Sequence, residues 1–321
     1  MKAAVYYETG KPDVFKYEER PDPNVTATSV LIQVEAISIE GGDVLNRAGG
    51  DMPSKPHTVG YQCAGTITQA GDNVPDRKVG DRVVATMPFG SHAELVSVSS
   101  MQTWPVPEGM DVREAACVPV AYGTAHECLF EFGHLKEGES VLIQAGGGGV
   151  GLAAIQLAKR AGAKVLATAG SDEKLERLKE FGLDHGVNYR HDDWVAKVKA
   201  ASGGGVNLVV DSVGTTLAGS VAATGYKGRI VVVGNAGRST ERCVDPAVLS
   251  EMNRSLTGVF FGASLMVDRA RAYPMVQSRI EEIARGEVKV VIDREFALSE
   301  AAAAHAYIES RQAFGRVLLR P

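Results

Sequence analysis

Five glycines within six residues constrain this chain more than anything else in it. They lie between an apolar run, SVLIQA, and a helix-forming stretch, VGLAAIQLAKRAGA. Gly146, Gly148 and Gly151 satisfy the G-x-G-x-x-G spacing in its required setting, strand before and helix after. The first glycine permits a tight turn, the second lets backbone approach a pyrophosphate, and the third allows the helix to pack closely on its strand. Gly149, Val150 and Gly151 lie at the start of a helix expected from about Val150 to Ala161, where unpaired N–H groups and the helix dipole favour an anion. A purely structural glycine turn is the alternative, and the flanking elements weigh against it. A dinucleotide is the ligand this turn suits.

The rest of the chain sorts around that turn. Before it, SVLIQVEAISI, AGTITQAG, DRVVATM and AELVSVSS are short alternating runs broken by Gly, Pro and Asp. They read as an irregular, mostly antiparallel β domain. After a helical stretch from Asp111, buried runs alternate with helices: KVLATA, GVNY, NLVVDSV, RIVVVG and SLTGVFF. Continuous Val/Ile/Leu strands of this kind form a parallel sheet covered on both faces. Ser171, followed by Asp172 and Glu173, is expected to cap the second helix, and Gly182 to stop it. The fold class is therefore α/β, with composition shifts near residues 115 and 264.

The second strand also bears on which dinucleotide binds. A site for NAD carries an acid at that strand's end, to bond the ribose hydroxyls. Here Ala169 and Gly170 stand there, with Ser171 next, Lys174 a turn later, and Tyr189 and Arg190 ending the third strand. Small residues, a cation and a phenol leave room for a 2′-phosphate, so NADPH is expected. Lys174 taken alone answers equally to a solvated surface lysine.

Composition narrows the partners. The 321 residues carry a net charge of -5, and aromatics are 6%. Neither fits a nucleic-acid-binding surface or an anionic membrane partner. The start alternates like a strand, with no signal-peptide pattern, and no apolar run is long enough to span a bilayer. Cys63, Cys117, Cys128 and Cys243 form no CxxC pair, which implies reduced thiols and a cytoplasmic location.

In order, the β-rich segment, AYGTAHE, AGGGGVG, NYR and DSVG resemble the medium-chain dehydrogenase/reductase superfamily, and within it the zinc-independent quinone oxidoreductases. The resemblance runs nearly the whole chain, from GKPDVFKYEE to ESRQAFGRVLL. It implies a GroES-like catalytic domain from both termini, 1–116 and 264–321. It also implies a Rossmann NADP-binding domain over 117–263, with the active-site cleft between the two. It further implies a homodimer or homotetramer, with SLTGVFFG as the strand that pairs across the dimer.

By the same resemblance, zinc-dependent relatives place their ligands at Ser38, Tyr61-Gln62 and approximately Val120. None of these suits zinc. Cys63 and Cys117 lie beside those positions and read as core, while His57 and His92 stand alone in loops. Without a Lewis acid to stabilise an alkoxide, dehydrogenation of simple alcohols is hard, and activated acceptors such as quinones or unsaturated carbonyls are expected. Tyr61 is placed to donate a hydrogen bond to substrate, or else packs at a domain edge. Thr124, in YGTA, bonds the cofactor near its nicotinamide or else its own helix. Gly234, Asn235 and Phe260 are implied to line the nicotinamide through backbone atoms. Arg311 reaches the phosphates or is a solvated helix end. Glu40 departs from the family's Asn in an N-x-x-D pattern, and Gly41 and Gly42 beside it suggest a larger or differently polar pocket. Asp43 and Arg47, four apart, are expected to form an ion pair. An enone or enoyl-thioester reductase is the neighbouring reading, and a non-catalytic RNA-binding or structural protein the distant one.

Overall fold

A computed structural model describes residues 1–191, 193–238 and 243–321. The chain forms two compact units: Met1–Val120 with Tyr273–Pro321, and Ala121–Ala272. These units divide at 120/121 and 272/273, four and nine residues beyond the domain limits expected from the sequence. Helical segments run through both crossings, so no composition break marks them. One is α3 (Val118–His126), preceded by α2 (Val112–Ala116). The other, Arg269–Ala284, carries Pro274 inside it, just past the second crossing.

The first unit is β-rich. Its strands are β1 (Lys2–Val5), β2 (Lys16–Glu19), β3 (Ser29–Ser38), β4 (Gln62–Ala70), β5 (Arg82–Thr86), β6 (Leu95–Ser99) and β7 (Thr103–Pro105). β3 lies at the centre, antiparallel to β4 on one edge and to β6. Val30, Ile32, Val34, Ile37, Ile67, Val83 and Val96 fill the core beneath, as the period-2 pattern requires. One helix, α1 (Gly41–Gly49), leaves the end of β3. Its N-terminus is closed by the Glu40 backbone N–H donating to Asp43 Oδ2 at 2.8 Å.

The second unit carries the parallel sheet. Its strands are β8 (Ser140–Ile143), β9 (Lys164–Ala169), β10 (His185–Asn188), β11 (Val206–Asp211), β12 (Thr224–Val232) and β13 (Ser255–Gly258). Among the described residues the order is β10-β9-β8-β11-β12-β13, every pair parallel. This is the doubly wound Rossmann order, reversing direction between β8 and β11. Helices α4 (Gly149–Arg160), α5 (Asp172–Leu178), α6 (Trp194–Ser202) and α7 (Leu217–Ala223) connect the strands, followed by α8 (Pro246–Ser250), α9 (Phe261–Val267) and α10 (Arg269–Ala284). Ser171 caps α5 by accepting from the Lys174 N–H, and Gly182 ends the following turn at φ +104°. The chain then closes the β-rich unit with β14 (Ile292–Ala297), α11 (Ala301–Glu309) and β15 (Arg316–Arg320), which pairs with β3. The strand expected over SLTGVFF stops at Gly258. Val259 is already buried, and Phe260 caps α9.

Candidate active site

The glycine turn leaves β8 and opens α4. A Cβ on Gly151 would lie 2.5 Å from the Ala145 carbonyl oxygen and 2.7 Å from that of Gly146. Both are backbone atoms and cannot yield. Gly146 is equally tight, with the Ala167 Cβ at 2.9 Å. Gly148 differs: it is exposed, and its nearest contact would be the Ala145 oxygen at 3.4 Å. The chain's own packing leaves room at Gly148, the position where the motif needs a ligand to approach backbone. Ala145 is held at φ +54°, a left-handed conformation that fixes the turn.

Behind the turn runs a buried polar chain that motif reading does not find. The Ala145 N–H donates to Thr168 Oγ1 (3.2 Å), and Thr168 Oγ1 donates to Gln144 Oε1 (2.6 Å). Gln144 Nε2 donates to Ser220 Oγ (3.1 Å), whose hydroxyl donates to Asp211 Oδ2 (2.7 Å). Asp211 also accepts from the Val213 and Gly214 N–H groups and from Thr216. It is an anchor for the C-terminal ends of the strands, where open α/β sheets bind ligands. The signal for this chain is tertiary: its members come from four separate elements.

At the end of β9, Gly170 makes room for a neighbour. A Cβ there would stand 2.7 Å from the Tyr189 hydroxyl, which places that phenol over the Gly170–Ser171 corner. Lys174 is half-buried one turn along, while the Ser171 side chain is engaged in capping. Gly234, at φ +82°, and half-buried Asn235 follow β12. Thr124 is buried on α3, beside Gly123, whose missing Cβ is occupied by the Phe261 ring at 2.4 Å. Phe260 is 70% exposed. Arg311, in the other unit, is exposed at φ +60°.

In the β-rich unit Ser38, Gln62 and Val120, three of the positions that the family pattern assigns to zinc ligands, come together around a guanidinium, while Tyr61 bonds Asn46 instead. Arg316 of β15 donates to Ser38 Oγ (3.0 and 2.6 Å), to the Ile39 carbonyl oxygen (2.8 Å) and to the Glu40 carboxylate. Gln62 Nε2 donates to Glu40 Oε1 at 2.5 Å, and the Val120 N–H donates to Gln62 Oε1 at 3.0 Å. A hydroxyl, an amide and a backbone N–H, with the one carboxylate already engaged by a resident cation, are a poor donor set for zinc. Among the described residues no three His, Cys, Asp or Glu side chains are placed to hold a metal. Burial pushes the Cys117 thiol beside this network up to about 11 and that of Cys63 up to about 12.

Glu40 is 4% exposed, and its carboxylate is occupied by Arg316 and Gln62. Burial raises its pKa, and Arg316 opposes that rise. Asp43 is fully buried and stands well above the ordinary carboxyl range, chiefly through desolvation. The expected Asp43–Arg47 pair does not form. Asp43 turns back to the Glu40 N–H, and Arg47 reaches the Gly10 carbonyl and pairs with Glu309 of α11. The pocket expected beside Gly42 is also filled, because the Tyr61 ring lies against that glycine. Gly41 remains open, with nothing within 4 Å of a would-be Cβ. Desolvation pushes the Tyr61 phenol up to about 12. His92, read as isolated, meets the His305 Nε2 with its own Nε2 at 3.1 Å.

No helix among the described residues is long and apolar enough to cross a membrane. Residues 26–108 match the alcohol dehydrogenase GroES-like domain, and residues 149–278 match the zinc-binding dehydrogenase family. The chain is 32% identical to the quinone oxidoreductase of Rattus norvegicus over 99% of its own length and 97% of that protein. It is also 32% identical to the synaptic vesicle membrane protein VAT-1 homolog of Danio rerio, matching over 92% of its own length but spanning only 65% of that longer protein. Among solved structures, the Escherichia coli quinone oxidoreductase complexed with NADPH superposes at a TM-score of 0.95, with 27% identity and full coverage of both chains. The glycine turn, the two-unit architecture and these matches agree: the chain belongs to the medium-chain dehydrogenase/reductase superfamily, as a quinone oxidoreductase-like member.

Proposed function

We propose that this protein is an NADPH-dependent reductase that delivers hydride to a quinone or a similarly activated carbonyl acceptor without zinc. The observation that carries the metal-free reading is the Arg316–Glu40–Gln62–Val120 network standing at the would-be ligand positions. When bound, the reduced nicotinamide supplies the hydride. The N–H groups of Gly149, Val150 and Gly151 would hold the pyrophosphate at the start of α4. Bare Gly170, Ser171, Lys174 and the Tyr189 hydroxyl would receive the 2′-phosphate. Thr124, Gly234, Asn235 and Phe260 are assigned to the nicotinamide end and Arg311 to the phosphates, by position in the family pattern.

Tyr61 is the proposed proton donor to the acceptor's oxygen, a phenol neutral at pH 7 whose pKa burial raises further, to about 12. Glu40 is assigned a holding role. Its carboxylate fixes Arg316 and Gln62. A homodimer is proposed through β13. It is an edge strand paired only with β12 among the described residues, with Tyr226, Leu256 and Met266 exposed in the same unit. The unpaired state of all four cysteines suits a reducing cytoplasm.

An alkenal or enoyl-thioester reductase is the second reading, favoured by the open space at Gly41. A panel of quinones, alkenals and enoyl thioesters, each assayed with NADPH and NADH, separates the two. Quinone turnover with NADPH supports the first reading, alkenal or thioester turnover the second, and silence with all of them removes both.

A further inference from the structure

Gly42 and Asn46 stand one turn apart on α1 and so share a helix face. Tyr61 lies along that face. A Cβ on Gly42 would fall 2.3 Å from its Cε2, 2.7 Å from its Oη and 2.9 Å from its Cζ, so the ring occupies the space the glycine leaves. At the far end Asn46 Nδ2 donates to Tyr61 Oη at 2.8 Å. A phenol has one hydrogen to give and lone pairs to accept with. A donor held against the oxygen takes a lone pair and leaves the O–H free to point elsewhere.

We propose that Gly42 and Asn46 are positioning residues that orient the Tyr61 hydroxyl as a hydrogen donor toward the acceptor. Gly42 does so by its missing side chain and Asn46 by its amide N–H. This rests on the reading of Tyr61 as proton donor given above. In the step concerned, the acceptor gains hydride from NADPH, which becomes NADP+. Its oxygen takes the Tyr61 proton as the O–H bond breaks, and solvent returns a proton to the tyrosinate. The Asn46 N–H stays on the oxygen throughout and stabilises the charge that forms there. The residues are invisible to motif reading because each acts through packing against Tyr61, 15 residues away from Asn46.

The test is a double-mutant cycle in the full chain, with NADPH as donor and 1,4-naphthoquinone as probe acceptor. Tyr61→Phe is expected to lower kcat about 100-fold, the scale of lost general-acid help. Asn46→Ala is expected to lower it about tenfold, the scale of one lost hydrogen bond. Asn46→Asp should approach the Tyr61→Phe loss near pH 8, because a carboxylate accepts the phenol hydrogen and turns it away from substrate. That loss should shrink as pH falls and the new carboxyl becomes a donor. The KM for NADPH should stay within about twofold in all of them, which also reports intact folding. In the Tyr61→Phe background, Asn46→Ala should cost nothing more. If Asn46→Ala lowers kcat by the same factor with and without the Tyr61 hydroxyl, the positioning role is overturned while Tyr61 as donor stands. If Tyr61→Phe leaves kcat unchanged, the donor reading falls and the positioning role with it.

Discussion

Two buried imidazoles are expected to make the β-rich unit acid-sensitive. His92 and His305 are both 0% exposed, with Nε2 atoms 3.1 Å apart. Phe15 stacks on the first ring and meets the second edge-on. Desolvation pushes His92 down to about 3. Burial, followed by the nearby His92 and Arg47, holds His305 well below its ordinary value. Both rings are therefore neutral when folded, whereas each titrates near 6.5 in an unfolded chain. Below that pH the unfolded state binds more protons, so their stabilising contribution is complete above about 6.5 and is lost as pH falls through it. The loss per ring is about 1.4 kcal/mol at pH 5.5, or about 3 kcal/mol for the pair, against about 0.1 kcal/mol or less per ring at pH 7.5.

The raised carboxyls of Glu40 and Asp43 act with the opposite sign, since the fold holds their protons more tightly. The two rings must therefore be isolated by comparison. The chain has two tryptophans, and Trp104, 1% exposed in β7, reports this unit alone once Trp194 is Phe. Urea unfolding of W194F and of W194F/H92Q/H305Q, followed by fluorescence at pH 7.5 and 5.5, gives the difference. The parent should lose about 3 kcal/mol more than the variant between the two pH values. A difference below about 1 kcal/mol would refute the claim that both rings are buried and neutral.

Two further outcomes follow from packing and charge. Gly151→Ala drives a Cβ into two backbone oxygens at 2.5 and 2.7 Å, so it should weaken NADPH binding, read by nucleotide fluorescence, by at least about tenfold, the equivalent of about 1.4 kcal/mol. An unaltered Kd would contradict the assigned turn. Arg316→Met strands the buried Glu40 carboxylate and should destabilise the unit by about 3–5 kcal/mol in urea unfolding, whereas the double change E40M/R316M should recover much of that loss. Equal destabilisation by the single and double variants would show that the pair itself is not the source.

What could be read from the chain beforehand was local. The glycine turn, the β-α alternation, the Ser171 cap and the Gly182 stop each announce themselves within a few residues, because local backbone geometry dictates them. What could not be read was long-range. Arg316 reaches Glu40 across 276 positions, and His305 reaches His92 across 213. Helical spacing suggested Asp43–Arg47, yet the capping N–H and Glu309 were the better-placed partners. The pair Gly41-Gly42 reads as open wall in sequence because nothing local reveals that a ring from residue 61 will fill half of it. The compact units divide inside helices, at 120/121 and 272/273, where composition marks no change.

The reaction proposed for this protein is metal-free, NADPH-linked hydride transfer to an activated acceptor. Its most direct test is steady-state quinone reduction by protein stripped with a chelator and verified free of zinc by elemental analysis, run with NADPH and NADH in parallel. Turnover should be undiminished after stripping, with no gain on adding zinc, and kcat/KM should be at least about tenfold higher for NADPH, the scale of one charge-assisted phosphate contact. Turnover that is lost on stripping and restored by zinc, or a preference for NADH, would contradict it.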